Sequence, residues 1–339
     1  MTPNTSAVTL MDFIRRLDEN DKVTARIVEM LAVPGVDELL GDMLWMEGNL
    51  TTGNKTTIRT GLPAVTWRLL NYGVQPSKST TKQVTDTCGM LECFAPVDEE
   101  LANLNGNAPE WRLSEDKAFI EAMKIEVVSV FFYGDKITPE KFIGMAARYN
   151  QLPPTTPDKT VSSYNVIDAG GRANDNTSIW VVNWGSETIY GIFPKGTKAG
   201  IEQKDLGLQT IYDAERGEYL GYKTHYKWKV GLTVRDWRST ARICNIDVSN
   251  LQADAGAQAK LVEALIVATN KAKRFNLGGK TSIYMHTDVK TMFEIQTLNK
   301  TNALLSWDLA KEGQPILTFR GIPIRTCESL LLTEATVTQ

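Results

Sequence analysis

The sequence has few of the residues on which most enzymes and metal sites depend. Among its 339 residues there are two histidines, His225 and His286, and four cysteines. Two histidines cannot build a histidine-rich metal site, and any histidine-based acid–base mechanism would have to use one of them. The scattered cysteines are typical of buried free thiols in a reducing compartment rather than of a disulfide framework. They are Cys88, Cys93, Cys244 and Cys327.

Long apolar runs are also missing. The most apolar stretch, 127–133, has seven residues, far short of the roughly 20 that span a bilayer. The N-terminus has no basic segment followed by an apolar one, so no secretion signal is expected. We therefore expect a protein that is made in the cytoplasm and has no membrane partner.

Charge is nearly balanced overall but unevenly distributed. Lys plus Arg number 37 and Asp plus Glu 40, which gives a net charge of −3. Residues 50–85 contain no acidic residue and five basic ones, whereas residues 86–126 contain ten acidic residues and three basic ones. Segments of opposite charge are candidates for contact, within a subunit or between subunits.

The apolar patterns predict a mixture of helices and strands in about two domains. Residues 10–44 are expected to form short amphipathic helices, and residues 50–85 a long hairpin-like excursion with strands beside Gly61 and Tyr72. A long helix is predicted from Leu113 to Gly134, with Ser114 as its N-cap. Further expectations are a hairpin of 179–184 with 188–193, an alternating strand 222–232, a helix 255–275, a strand 282–285, a helix 287–299 and a C-terminal hairpin 316–326.

Two small constellations could carry chemistry or binding. His286 and Asp288 stand at a strand-to-helix junction, where an enzyme could use them, although capping or packing is favoured because no catalytic motif accompanies them. Lys223, Lys227 and Lys229 could contact nucleic acid, although a solvated strand face explains them as well. We predict no catalytic residue, no cofactor and no metal site.

Several stretches resemble the major capsid proteins of podovirus-type tailed phages, over nearly the whole chain. They include LANLNGN, LSEDKAFIEAM, NTSIWVVNWG, IYGIFPKGTKAG, VRDWRSTARICNIDVSNL, TFRGIPIRTCESLL and the segment from MLWMEGNL to TTKQV. The resemblance implies an α+β fold of the Hong Kong 97 type. Its expected parts are an N-terminal arm and lead-in (1–47), an extended loop (48–95), a peripheral domain (96–160) with a spine helix at 114–133, a mainly axial domain (161–310) and a C-terminal hairpin and tail (311–339).

The resemblance also implies a function and partners. Many copies are expected to assemble, as pentamers and hexamers, into an icosahedral shell around double-stranded phage DNA, without sequence-specific binding. A separate scaffolding protein and a portal protein are expected, with room for a decoration protein. Assembly is expected in the bacterial host cytoplasm, and the product is the virion capsid. The alternatives are an encapsulin-type compartment and an enzyme that uses His286 and Asp288.

The resemblance also offers an explanation for the opposite charges of segments 50–85 and 86–126. In such shells the extended loop lies over the peripheral domain of a neighbouring subunit. Basic residues of the loop are therefore expected to approach acidic residues that follow it in sequence, on another copy of the chain. The expected intersubunit contacts join Lys55, Arg59 and Arg68 to Asp98, Glu99 and Glu100.

Overall fold

The computed structural model describes residues 35–104, 108–156, 161–212, 216–253, 255–273, 279–297, 305–309 and 315–339. The helices expected before residue 35 lie outside these residues. The described chain forms two compact units. The first contains residues 90–127 and 198–229, and the second contains 34–89, 128–197 and 230–339.

Six helices and thirteen strands are described. The helices are α1 (Val36–Asp42), α2 (Glu99–Asn103), α3 (Ala108–Tyr133), α4 (Val248–Ala253), α5 (Ala255–Lys273) and α6 (Thr287–Thr297). The strands are β1 (Trp45–Glu47), β2 (Gly53–Gly61), β3 (Thr80–Asp98), β4 (Val166–Asp168), β5 (Asn176–Trp184), β6 (Ile189–Phe193), β7 (Ile201–Tyr212), β8 (Glu218–Val234), β9 (Thr240–Asp247), β10 (Lys280–Met285), β11 (Leu305–Leu309), β12 (Pro315–Phe319) and β13 (Ile322–Thr326). Short 3-10 turns cover Ser162–Asn165 and Trp237–Ser239.

The second unit is organised around β5, in which every residue is buried. Strand β9 pairs antiparallel with one edge of β5, and β10 pairs antiparallel with its other edge. Helices α5 and α6 add apolar side chains on one face of this sheet, and Phe132 and Tyr149 pack against Trp180 on the other, so β5 is enclosed on its edges and covered on its faces. The core includes Ile179, Val181, Ile243, Leu265, Met285, Val289 and Phe319.

The predicted hairpin between β5 and β6 is wrong. These strands share only the parallel pair of Trp184 and Ile189. Strand β6 pairs instead with β1 in parallel and with β8 in antiparallel orientation. Because β9 and β10 already occupy both edges of β5, no edge is left for a hairpin partner.

Helix α1 is tied to the second unit by a buried carboxylate. Asp42 accepts hydrogen bonds from the hydroxyls of Ser282 (2.9 Å) and Tyr284 (3.0 Å). Lys280 and Arg325 form ion pairs with the same carboxylate. Burial and the nearby Asp42 raise the pKa of Tyr284 well above its usual value. The last part of the expected arm and lead-in is therefore fixed on β10 and β13.

In the first unit, β7, β8 and β3 lie side by side, and α3 packs on one face of this sheet. The alternation predicted for β8 is confirmed: Thr224, Tyr226 and Trp228 are buried, whereas His225 and Lys227 between them are half-exposed. Arg112 of α3 donates to Asp205 of β7 at 2.7 Å. The same guanidinium lies 4.8 Å from the centre of the Tyr222 ring.

The predicted long helix is confirmed, with a different start. Helix α3 ends at Tyr133 as expected, but it begins at Ala108, so Ser114 lies inside the helix and is not its N-cap. Pro109 suits the first turn, where no intrahelical donor is needed. A Cβ on Gly134 would lie 2.2 Å from the carbonyl oxygen of Phe142. Glycine is required there because the following loop passes so close.

All four cysteines are free thiols, as predicted. Cys244 and Cys327 are buried, whereas Cys88 and Cys93 are only half-buried, so the expectation of burial holds for two of the four. Burial raises the pKa of Cys88 and of Cys327 to about 11, and that of Cys244 to about 12. These thiols therefore stay protonated, and poorly nucleophilic, at neutral pH.

Candidate assembly surfaces

The basic, acid-free segment forms a hairpin that belongs to the second unit. Strands β2 and β3 pair antiparallel, from Gly53 opposite Thr87 to Gly61 opposite Thr80. The residues between them, 62–79, form an irregular loop. The expected hairpin is thus confirmed, but the strands expected beside Tyr72 are absent from this loop. Two prolines within 62–79 remove backbone donors that a strand ladder would need.

Buried polar contacts fix the base of this hairpin. Asn54 of β2 donates to the Tyr190 hydroxyl at 2.9 Å. Directly opposite in the register, Asp86 of β3 accepts from Arg148 at 2.8 Å, and Arg148 also donates to the Leu232 carbonyl at 3.3 Å. The Asp86 carboxylate is almost fully buried. The hairpin is therefore anchored at its base, whereas its loop is exposed.

The three predicted basic contact residues all point to solvent. Lys55 and Arg59 lie four residues apart on the exposed face of β2, and Arg68 lies in the exposed loop. No acidic side chain of the described residues lies within ion-pair distance of them. They are therefore free to meet a partner of opposite charge.

The three predicted acidic contact residues lie in the first unit, at the start of α2. Asp98 is the N-cap, and its Oδ1 accepts from the backbone N–H of Glu100 at 2.9 Å. Carboxylates are favoured at a helix N-terminus, so this acidic trio has a local role as well. Among the described residues it forms no ion pair. Beneath it, Val97, Leu101, Ala102 and Trp111 form a small apolar core.

Large apolar side chains cover the loop between β2 and β3, and sequence reasoning missed their exposure. Trp67 is fully exposed, and Val65 is 90% exposed. Contiguous apolar exposure of this kind marks a surface that a partner covers. The exposed set is Leu62, Val65, Trp67, Leu69, Leu70, Tyr72 and Val74.

His286 acts as a helix cap. Its Nδ1 accepts from the backbone N–H of Asp288 at 3.2 Å, at the first turn of α6. The Asp288 carboxylate lies 3.5 Å from the same nitrogen. This geometry confirms the capping interpretation. Within the described parts of the chain, no cluster of three or more His, Cys, Asp or Glu side chains could hold a metal ion.

The lysine-bearing face of β8 is occupied by contacts within the chain. Lys227 pairs with Glu92 at 2.9 Å and holds the pKa of that carboxyl below its usual value. His225 stacks on Phe94 with ring centres 4.5 Å apart. The Lys223 ammonium lies 4.3 Å from the centre of the same Phe94 ring. Two of the three lysines considered for nucleic-acid contact thus have partners in their own chain.

In the part of the chain that the structure describes, no helix combines the length and apolar character needed to cross a membrane.

Comparison with known proteins identifies the family of this chain. The family model described as "Major capsid protein GP7" matches residues 18–338. The chain belongs to this capsid protein family. No curated protein sequence matches the chain. A chain in the near-atomic structure of bacteriophage epsilon15 is 29% identical, with 98% of both chains covered and a TM-score of 0.77.

Two other structures are more distant. The capsid of a native GTA particle is 9% identical, covers 66% of this chain and 95% of its own, and has a TM-score of 0.45. The holo-SrpI encapsulin complex from Synechococcus elongatus PCC 7942 is 10% identical, covers 70% and 96%, and has a TM-score of 0.42. Likeness at this level supports no functional inference.

Membership of the GP7 family confirms three expectations: the podovirus-type resemblance, the α+β fold of the Hong Kong 97 type, and the function of a major capsid protein. The family model and the epsilon15 structure are both of phage capsid proteins, so the compartment alternative is not favoured. The chain is a structural subunit that assembles with copies of itself into a viral shell.

Proposed function

We propose that this chain forms the pentamers and hexamers of an icosahedral procapsid, into which double-stranded phage DNA is packaged without sequence-specific binding. The match of the capsid family model over residues 18–338 carries this proposal. A separate scaffolding protein, a portal protein and a decoration protein are the proposed partners, and the host cytoplasm is the proposed place of assembly. The chain itself contributes surfaces rather than catalysis.

The proposed parts of the subunit follow the described elements. Hairpin β2–β3 with its loop serves as the extended loop, and α3 serves as the spine helix of the peripheral domain. The sheet around β5 with α5 and α6 serves as the axial domain. The anchored base and exposed loop of the hairpin support this assignment, because an extended arm needs a fixed origin and a free end.

Between copies, we propose that cations of the hairpin meet the acidic trio of α2 on a neighbour. The exposure of the three cations and of Glu100, the opposite sign of the two groups and the lack of ion-pair partners among the described residues support this pairing. Exposed pairs contribute only about 0 to 1 kcal/mol each, so they would set register and association rate rather than hold the shell. The residues are Lys55, Arg59 and Arg68 on one copy, and Asp98, Glu99 and Glu100 on the other.

Charge reversal tests this pairing. The double variant Arg59→Glu/Arg68→Glu is expected to lower the yield of shells about tenfold in low salt, because each attraction becomes a repulsion that recurs at every neighbour contact. Sedimentation of assembled particles measures the yield. The matched control Lys136→Glu/Lys195→Glu makes the same change in net charge at exposed sites outside the hairpin.

A compensating variant sharpens the result. Adding Glu99→Lys/Glu100→Lys to the reversed hairpin is expected to restore most of the yield, since opposite charges face each other again. Wild-type yield and stability of the Arg59→Glu/Arg68→Glu shells would sink the proposed pairing. So would an equal loss in the matched control, because the effect would then follow net charge alone.

A further inference from the structure

Strand β7 forms the outer edge of the sheet in the first unit. Among the described strands it pairs only with β8, so none of them occupies its other side. Exposed edge strands are ready to pair with another chain, and proteins usually protect them with charges, prolines or bulges. The two halves of β7 differ in this protection.

The first half of β7 is charged and the second half is not. Residues 201–205 include three charged side chains, those of Glu202, Lys204 and Asp205. Residues 206–212 contain no charged residue and no proline, and four of these seven residues are exposed. An extended segment of this composition is well suited to pair with another strand, because no charge has to be removed from water.

A β-bulge separates the two halves and fixes the direction of the second. The register with β8 shifts between Asp205 and Leu208, where Gly207 adopts the left-handed conformation with φ of 70°. The Asp205 carboxylate accepts hydrogen bonds from the Gly207 N–H at 2.8 Å and from Arg112 of α3 at 2.7 Å. Because the uncharged half is already ordered on β8, pairing with a partner costs little conformational entropy of this strand.

One face of the uncharged half carries exposed apolar side chains. Leu208 lies opposite Tyr222 of β8, and Thr210 lies opposite Leu220. Residues directly opposite each other share a face of the sheet, and so do residues two apart along a strand. On this face Leu208, Tyr212 and Leu220 are 45%, 59% and 52% exposed, respectively. A partner strand at this edge would remove part of that apolar area from water.

The uncharged half is complementary to itself in an antiparallel pair. If two copies meet about a two-fold axis at Thr210, each Thr210 lies opposite the other, and Leu208 of one copy lies opposite Tyr212 of the other. Opposed threonines can form a hydrogen bond, and an aromatic ring opposite a leucine buries apolar surface. A two-fold contact requires a surface that matches itself. Since the chain assembles with copies of itself, a second copy is the partner that this edge fits.

We infer that residues 208–212 of β7 pair antiparallel with the same residues of a second copy, across a two-fold axis at Thr210, and so join the two sheets into one. The inference adds to the proposed function a contact that involves neither hairpin β2–β3 nor the acidic trio, and it rests on that function for the assembly of many copies. The contact is small, so we expect it to be weak between two free subunits. In a shell, where other neighbours hold the two strands together, it becomes effective.

Charges placed at Thr210 provide the first test. The inferred contact puts this residue opposite its own copy, so Thr210→Lys and Thr210→Glu each create a like-charge pair. Each variant alone is expected to lower the yield of shells about tenfold at low salt. An equimolar mixture of the two variants is expected to restore most of the yield, since lysine then faces glutamate. The same changes at the exposed Gln203, in the charged half of β7, are the matched control and should leave the yield unchanged.

The mixture also controls for folding, because two misfolded variants would not restore each other. Thr210 is exposed, so the urea midpoint of each unassembled variant should equal that of the wild type. Wild-type yield in both single variants would overturn the inference. A mixture that assembles no better than either variant alone would overturn it too, because the defect would not then arise from residue 210 facing itself.

A disulfide across the axis tests the register directly. Residues opposite each other in an antiparallel pair have Cβ atoms about 4.5–5.5 Å apart, close to the separation that a disulfide needs. Thr210→Cys particles oxidised with diamide are therefore expected to contain covalent dimers linked from residue 210 to residue 210, as identified by mass spectrometry. The controls are oxidised wild-type particles, which have the four native cysteines, and Gln203→Cys particles; neither should form this dimer.

The disulfide separates the contact from the proposed function. Thr210→Cys shells without the dimer would overturn the inference and leave the proposed function in place. A dimer that forms although no condition yields shells would show that the proposed function fails and the strand contact stands. Disulfides from residue 210 to another segment of the chain or to a different protein, in place of the dimer, would overturn the inference.

Discussion

Replacement of Arg242 by methionine is expected to lower the free energy of unfolding by about 3–5 kcal/mol. Arg242 of β9 is only 4% exposed, and its Nη2 lies 2.8 Å from Oε2 of Glu334 in the C-terminal tail. Its Nη1 donates to the Tyr149 carbonyl at 2.9 Å. The variant would leave the Glu334 carboxylate buried without its cation, which is more costly than losing the pair as a whole.

The same Glu334 carboxylate accepts hydrogen bonds from other side chains, so the loss of stability in the Arg242→Met variant should extend to the contacts of the C-terminal tail. The Tyr133 hydroxyl at the end of α3 donates to Glu334 Oε1 at 2.6 Å, and the Ser178 hydroxyl donates to Oε2. Burial, together with this carboxylate, raises the pKa of Tyr133 far above its usual range. Through these contacts Glu334 fastens the C-terminal tail to α3, β5 and β9.

Urea unfolding of the unassembled protein measures the effect, and a double variant controls it. Arg242→Met/Glu334→Gln removes both charges, and its amide keeps an acceptor for the Tyr133 hydroxyl and offers an N–H donor to the Ser178 hydroxyl oxygen, so it should recover a large part of the loss. A loss below about 1 kcal/mol in Arg242→Met would contradict this account. Simple additivity of the two single variants would contradict it as well, since coupled residues should not add.

The second large effect is expected from Phe132→Ala, at about 3–5 kcal/mol of unfolding free energy. Phe132 is fully buried in the last turn of α3, with its ring centre 6.1 Å from that of Trp180. Truncation removes the buried ring and leaves a cavity against β5, which a close-packed interior fills only in part. The stability of this end of the long helix depends on that packing.

Urea unfolding again provides the measurement, with Ile137→Ala as control. Ile137 lies just beyond the same helix and is exposed, so its truncation should change stability by no more than about 0.5 kcal/mol. If Phe132→Ala and Ile137→Ala lowered the free energy of unfolding equally, burial of Phe132 would not be what stabilises the end of α3.

Much of the fold could be predicted from local patterns in the sequence. The alternation in β8 identified its buried and half-exposed faces, and the continuous run up to Gly134 located the end of α3, because both signals depend on neighbours in sequence. The hairpin of β5 with β6 failed for the opposite reason. A strand buried on all sides needs partners on both edges, and β9 and β10 come from distant parts of the chain.

The candidate surfaces were predictable in charge but not in shape. The missing acids in 50–85 pointed to an exposed basic hairpin, and Lys55, Arg59 and Arg68 are indeed exposed. Trp67 and its apolar neighbours look like core residues when only the sequence is considered. Their exposure follows from the fold, because none of the described residues forms a layer behind the loop. Contacts with another copy depend on that copy's surface as well, and no local pattern encodes both.

Electron microscopy of the purified protein, expressed with and without the phage's scaffolding protein, tests the central claim most directly. If the chain is a shell subunit whose loop binds its neighbour, closed particles of icosahedral symmetry should form, at least in the presence of the scaffolding protein. A folded monomer that persists under both conditions, at every concentration reached, would contradict the account.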